Sequence, residues 1–270
     1  MTTTTKTNAS QNFDLELCEL AETKLEGLES YSPFCLKVHR ALRVAGLTYA
    51  RRHGRHPGVF KGLNPTGQVP ILLVDGEPVC DSTAIVRRIE ALAPDRLHAG
   101  FDEETLGRAR LWEELADTSL NGFLVAARWA DDRNWPAVRD CYFGDAPRLV
   151  CAVITPRLRK GVVKNLIARD VWRAGPDACW ARFEVLLDQL DTQAPKEGFW
   201  VAPQISVADI AIFAQLHSLR TSLTPWQGER VEARSRLTAY LDRVDAATRA
   251  PAAQRPLSAR HAQLVALLSA

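Results

Sequence analysis

Tyr31-Ser32-Pro33-Phe34-Cys35-Leu36-Lys37-Val38 opens an amphipathic segment that runs to about Ala45. Ser32 is a good helix N-cap, because its hydroxyl can accept from the free N–H groups of the first turn. Pro33 then occupies the first helical position, where its missing N–H costs nothing and its fixed φ suits a helix. Leu36, His39 or Arg40, Leu42 and Val44 or Ala45 recur at helical spacing, and Gly46 stands where a C-cap glycine belongs. A hydroxyl, and one turn later the Cys35 thiol, are thus placed at the positive end of a helix. An anion, or a thiol becoming a thiolate, is stabilised there. Read by itself, the same Ser-Pro pair is also what an ordinary cap looks like.

Working outward, the apolar run within Lys24–Glu29 reads as a strand, and Leu47–Arg51 is β-like. Strand, helix and strand at this spacing make a βαβ unit with a right-handed crossover. Arg51–Lys61 is basic, is broken by Gly54, Pro57 and Gly58, and reads as a loop. Asn64-Pro65-Thr66-Gly67 is a turn. Val69–Val74 and Glu77–Cys80 flank Asp75-Gly76, a hairpin signal. Asp81-Ser82-Thr83 precedes a helix with Ile85, Ile89 and Leu92 on one face. The order βαβ, loop, ββα predicts a thioredoxin-like domain over residues 23–94. Phe13–Glu22 fits strand or helix, and with the polar residues before it is expected to form a tail and lead-in over 1–22.

Residues 95–102 read as a linker, and residues 103–270 as an all-α domain. Leu106, Ala109, Trp112, Leu115 or Ala116, Leu120, Phe123 or Leu124, and Ala127 form a long apolar stripe. Trp135–Phe143 is irregular, and Pro156–Trp172 reads as a basic amphipathic helix. Further helices are expected over Cys179–Leu190, Ser206–Ser222, Val231–Ala246 and Arg260–Leu268. Ser206-Val207-Ala208-Asp209 is a capping box, with Ile205 and Ile210 placed to staple it.

Bulk properties narrow the function. The chain has 270 residues, 46% hydrophobic and 24% charged, with a net charge of +2. That charge is too mild to imply a nucleic-acid partner. There is no run of about 18 apolar residues, so membrane insertion is not expected. The Thr-rich start carries no secretory h-region, so the six cysteines read as reduced thiols in a cytoplasmic protein. They form no CxxC or Cys/His pattern with zinc spacing, and no metal site is inferred.

Four motifs in fixed order resemble the glutathione transferase superfamily: Tyr31-Ser-Pro-Phe-Cys35, Asn64-Pro-Thr-Gly-Gln-Val-Pro70, Cys80-Asp-Ser-Thr-Ala84 and Ser206-Val-Ala-Asp209. In finer detail, Ser32–Leu47 and the region from Arg128-Trp129 to Arg173 are similar to bacterial relatives of the failed-axon-connections and metaxin branch, some of whose members have no established transferase activity. The resemblance implies a thioredoxin-like domain followed by a helical one, with glutathione as co-substrate, a small hydrophobic electrophile as second substrate, a role in detoxification and a homodimer.

It also implies a site. The Val69–Pro70 bond is expected to be cis, leaving the Val69 main chain beside Gln68 to pair with the cysteinyl part of glutathione like a strand edge. Asp81 would hold the γ-glutamyl ammonium, and Ser82 its carboxylate. A cation is needed for the glycyl carboxylate. Arg55 is the first candidate, with His56, Arg52 and Lys61 on the same loop. Ser32 would donate a hydrogen bond to the sulfur, with Tyr31 a further hydroxyl donor. Cys35 is the alternative, forming a mixed disulfide in thiol transfer or reduction, although one turn into the helix it is expected to face away from the cleft. The electrophile pocket is expected between the domains, from Trp112 and Phe123 with Leu115, Asn121 and Trp129 as further candidates. The same residues also suit a bundle core. A third reading is a transferase-like module used for protein contacts. The basic segment Arg157–Arg173 would either touch a membrane surface or form a solvated face.

Overall fold

The computed structural model describes residues 13–249 except 95 and 170, so the expected tail and the Arg260–Leu268 helix lie outside the described residues. Four strands form one sheet in the order β2-β1-β3-β4. They are β1 (Leu15–Leu20), β2 (Ala50–Gly54), β3 (Ile71–Val74) and β4 (Glu77–Cys80). β1 runs parallel to β2 and antiparallel to β3, and β3–β4 is the Asp75-Gly76 hairpin. Helices α1 (Pro33–Val44) and α2 (Ser82–Leu92) pack on one face through Leu17, Val38, Leu42, Leu72, Ile85 and Ile89. Cys18, Phe60, Ile71 and Leu73 fill the other face.

The first strand differs from expectation. β1 lies in the stretch expected as a lead-in, while Lys24–Glu29 forms turns, with Leu28 N–H donating to Leu25 O and Gly27 at φ 75°. The physical reason is long-range pairing. Glu16 and Glu19 break the apolar pattern of β1, yet both are buried. Arg52 binds Glu16 through two nitrogens at 2.9 and 2.7 Å, and Arg51 binds Glu19 at 2.6 Å, so neighbouring β2 neutralises both carboxylates. A buried carboxylate is tolerated when so paired.

The helical domain begins with α3 (Glu103–Leu115), which runs through a π-helical segment (Ala116–Leu120) into α4 (Asn121–Val125) and a second π-helical segment (Ala126–Ala130). α5 (Trp135–Phe143) replaces the expected irregular stretch. α6 (Arg148–Ala168) starts eight residues before the expected Pro156, which sits inside the helix. α7 (Gly175–Gln193), α8 (Val207–His217), α9 (Pro225–Glu232) and α10 (Ser235–Thr248) complete the described residues. α8 is the axis of the molecule, with every residue from Val207 to Leu216 buried. A helix apolar all round belongs in a core. Its capping box is present. Asp209 receives the Ser206 N–H at 2.8 Å and, on its other oxygen, the Tyr240 hydroxyl at 2.6 Å. Val207, Ala208 and Ile210 reach the sheet-domain core, while Ala211 to Leu216 build the helical one, so α8 joins the two domains.

Candidate functional site

The site is built on the N-terminal end of α1. Ser32 is the N-cap, and its Oγ accepts from the Cys35 N–H at 3.3 Å. Ser32 is half-buried. Cys35 is fully buried. Burial, reinforced by the Glu19 charge, pushes its thiol far above the ordinary range, against hydrogen bonds from Ser32 and Ser30. A thiol so placed stays protonated, without the exposure that reactive cysteines have.

The Val69–Pro70 bond is cis, as expected. The turn before it is braced by Asn64, whose Nδ2 donates to Gln68 O at 2.9 Å. Among the described residues the Val69 N–H and C=O take no hydrogen bond, and Gln68 is exposed. Asp81 stands at φ 77° and caps α2, accepting from Thr83 N at 2.9 Å and Ala84 N at 3.2 Å. Its side chain is exposed. Ser82, by contrast, is buried, and its Oγ accepts from Lys37 Nζ at 3.5 Å.

Lys37 is a feature that sequence reasoning missed. It is fully buried on α1. Its Nζ meets Glu113 Oε1 at 2.7 Å, Asp117 Oδ2 at 2.5 Å and Thr83 Oγ1 at 3.3 Å. Arg87 Nη2 closes the cluster on Glu113 Oε2 at 2.5 Å. Burial raises the Asp117 carboxyl, and the Lys37 charge pulls it back. The cluster backs the Ser82 end of α2.

At the Ser32 end of α1, Arg128 emerges from the second π-helical segment with 3% exposure. It donates to Tyr31 O at 2.6 Å, to the Tyr142 hydroxyl at 3.1 Å and to Ser218 O at 2.8 Å. Tyr31 meets Tyr142 edge-on at 5.2 Å. Its hydroxyl accepts from Lys24 N at 3.0 Å and from the Cys141 thiol at 3.1 Å, and burial raises its pKa. Arg128 had a visible signal, a lone cation in the apolar run Asn121–Ala130, whereas Lys37 shares its helix with Arg40 and Arg43 and carried none.

The remaining candidates disperse. Arg55, His56 and Lys61 are exposed on the loop after β2, whereas Arg52 is committed to Glu16. Phe123 is not in a pocket. It is 3% exposed and packs on Phe183 at 5.4 Å, inside the bundle core. Trp112 fills the seam against Trp200 at 4.9 Å, touching both cores. An amphipathic stripe cannot separate a cleft wall from a core, so of the two expected pocket residues Phe123 stands in the bundle core while Trp112 stands on the seam between the domains. Asn121 is buried on Gln215, and Leu115 packs on the core. Trp129 is half-buried in a group with Trp135, Tyr142 and Phe143, at ring separations of 5.6, 6.0 and 6.3 Å. Two concavities lie elsewhere, a 280 Å³ groove on α7 and a 210 Å³ one lined by Glu90 and His98. No helix among the described residues is long and apolar enough to cross a membrane.

Comparison with known proteins agrees with the fold. The family model for the glutathione S-transferase N-terminal domain matches residues 31–92, and that for the glutathione S-transferase C-terminal domain matches residues 167–243, together just over half of the chain. A segment of 99 residues, 37% of this chain, is 32% identical to Failed axon connections of Drosophila melanogaster, and it spans only 22% of that protein. Among solved structures, the β-etherase LigF from Sphingobium sp. strain SYK-6 is similar in fold, with a TM-score of 0.57 at 24% identity over 88% of this chain and 96% of that one. A glutathione S-transferase from Rhodospirillum rubrum F11 also gives 0.57, at 19% identity over 91% and 94%.

Proposed function

We infer, for a chain that belongs to the glutathione S-transferase family, that the α1 end of its cleft binds glutathione and activates the thiol for attack on a hydrophobic electrophile. One observation carries this reading. The Ser32 oxygen uses a lone pair for the Cys35 N–H. Its own proton, shared with the Cys35 sulfur in the free chain, turns to a glutathione sulfur at the positive end of α1 when that ligand binds. Free thiols titrate near 8.5, so a donor and a helix N-terminus at the sulfur raise the thiolate fraction at neutral pH. The thiolate then attacks an electrophilic carbon. A sulfur–carbon bond forms, and the displaced electron pair leaves with the departing group or takes up a proton.

Binding follows the same parts. The unpaired Val69 main chain offers a strand edge to the cysteinyl unit, with Gln68 beside it. Asp81 takes the γ-glutamyl ammonium, and the Ser82 N–H and hydroxyl take its carboxylate. Arg55 is the cation for the glycyl carboxylate. The electrophile meets the half-buried rings around Trp129 and Tyr142 rather than Phe123 or Trp112. A cytoplasmic homodimer acting in detoxification belongs to this reading.

The thiol-transfer alternative through Cys35 finds no support in a fully buried, protonated thiol. The protein-contact alternative rests on α6, where Val153, Ile154 and Leu158 are exposed. Calorimetric titration with glutathione tests the binding step, and Ser32→Ala tests activation. A lower conjugation rate with a raised kinetic pKa is expected. Unchanged rate and pKa in Ser32→Ala would contradict the assignment.

A further inference from the structure

A charged side chain in a protein interior is stable only when something answers its charge. Arg128 is such a side chain, and its partners are all neutral: two backbone carbonyls and one phenol oxygen. Among the described residues no carboxylate forms an ion pair with it, and its Nε has no hydrogen-bond partner at all. The nearby acids are committed elsewhere. Asp131 is held by Arg133 and Gln227, Asp132 by Arg159, and Asp145 by Lys24. Ser218 O ends α8, so the helix C-terminus supplies a partial negative charge, about half an elementary charge in magnitude. The remainder of the guanidinium charge stays uncompensated.

The place matters as much as the imbalance. The shortest of the Arg128 hydrogen bonds ends on the carbonyl of Tyr31, and the next residue is Ser32. The cation therefore stands one peptide unit from the hydroxyl assigned to the glutathione sulfur. Second-site support comes from the backbone. Arg128 lies in a π-helical segment, a rare turn that concentrates at functional positions.

We propose that Arg128 is the counter-charge for the glutathione thiolate, delivered from the helical domain to the Ser32 end of α1. The inference rests on the reading of the cleft as a glutathione site. Ser32 and the α1 terminus supply local dipoles, and Arg128 supplies the full charge that they lack. It acts through the field across the Tyr31 peptide, as a positioning and electrostatic residue rather than a proton donor. Other titratable groups around it are Tyr31 on the loop, Tyr142 and Cys141 on α5, His217 on α8, Asp131 at the end of its own helix, and the Lys24–Asp145 pair.

The test is the pH titration of the thiolate ultraviolet absorbance of glutathione bound to the intact chain, in wild type, Arg128→Gln and Arg128→Lys, with binding followed by calorimetry. Arg128→Gln keeps a hydrogen-bonding group without the charge, and Arg128→Lys keeps the charge without the fork. The expected result is a thiolate fraction at neutral pH about tenfold lower in Arg128→Gln, one pKa unit, and near wild type in Arg128→Lys. If all three bind glutathione and the titration of Arg128→Gln matches wild type, the proposal is overturned while the glutathione site stands. If wild type itself gives no binding heat, the site and the proposal fall together. Should Arg128→Gln not fold, Arg128→citrulline by semisynthesis retains the side-chain shape and removes the charge. The same tenfold loss is then expected, and an unmoved titration overturns the proposal.

Discussion

Lys37 and Arg128 are both buried cations on the seam between the sheet domain and the helical domain, and they are held in opposite ways. Lys37 has two carboxylates, Glu113 and Asp117, within 2.7 Å. Arg128 has carbonyls and a phenol. Asp117 and Arg128 lie on one continuous helical run, Asp117 in its first π-helical segment and Arg128 in its second. The first arrangement is closed: charge meets charge, and the cluster fixes the N-terminus of α2 against α1. The second leaves a net positive charge beside Ser32. One end of the cleft is thus built for rigidity, and the other holds its field in reserve for a ligand.

The largest effect is expected at the closed end. Lys37→Met leaves Glu113 and Asp117 as buried carboxylates without their main cation, which costs about 3–5 kcal/mol of stability. Urea unfolding measures it, and a loss under about 1 kcal/mol would break the comparison by showing Lys37 to be dispensable. Next comes Ser32→Ala at the open end. Conjugation is expected to slow by on the order of 100-fold, as when one preorganised donor is removed. The lost cap lowers stability by only about 1 kcal/mol. Rate and stability falling together, with no pKa change, would reduce Ser32 to a cap.

Smaller again is Tyr142→Phe, which removes one hydrogen bond from Arg128 at a cost of about 1 kcal/mol. Its expected mark is a modest fall in melting temperature with glutathione binding retained. The smallest effect is the pH response of the closed cluster. Burial raises the Asp117 carboxyl above its ordinary 3.8. The folded chain therefore binds that proton more tightly than the unfolded chain does. Stability of wild type relative to Asp117→Asn should accordingly rise as pH falls through the raised folded-state pKa, and level off below about 3.8. A difference that instead falls on acidification would mean that the Lys37 charge outweighs burial at Asp117.

These two regions also mark how far the sequence could be read. Ser32, Asp81 and Ser206 were legible because an N-cap is a local device, complete within three residues. The hairpin at Asp75-Gly76 and the helix ending at Gly46 were legible for the same reason. β1 was not, because Glu16 and Glu19 suit a central strand only once Arg52 and Arg51 stand beside them. Phe123 looked like a cleft wall because helical periodicity marks a buried face without saying what covers it. Lys37 and Arg128 were hidden by distance along the chain. Lys37 meets Asp117 across 80 positions, and Arg128 meets Tyr31 across 97. The only local trace, at Arg128, was a charge in the wrong place, and what answers that charge is a tertiary fact.

The central claim, that the open end of this cleft receives glutathione, is tested most directly by calorimetric titration of the intact wild-type chain with glutathione. The account predicts saturable heat within the millimolar range, weakened when Asp81→Ala removes the carboxylate assigned to the γ-glutamyl ammonium. No heat at millimolar glutathione, or heat indifferent to Asp81→Ala, would contradict it.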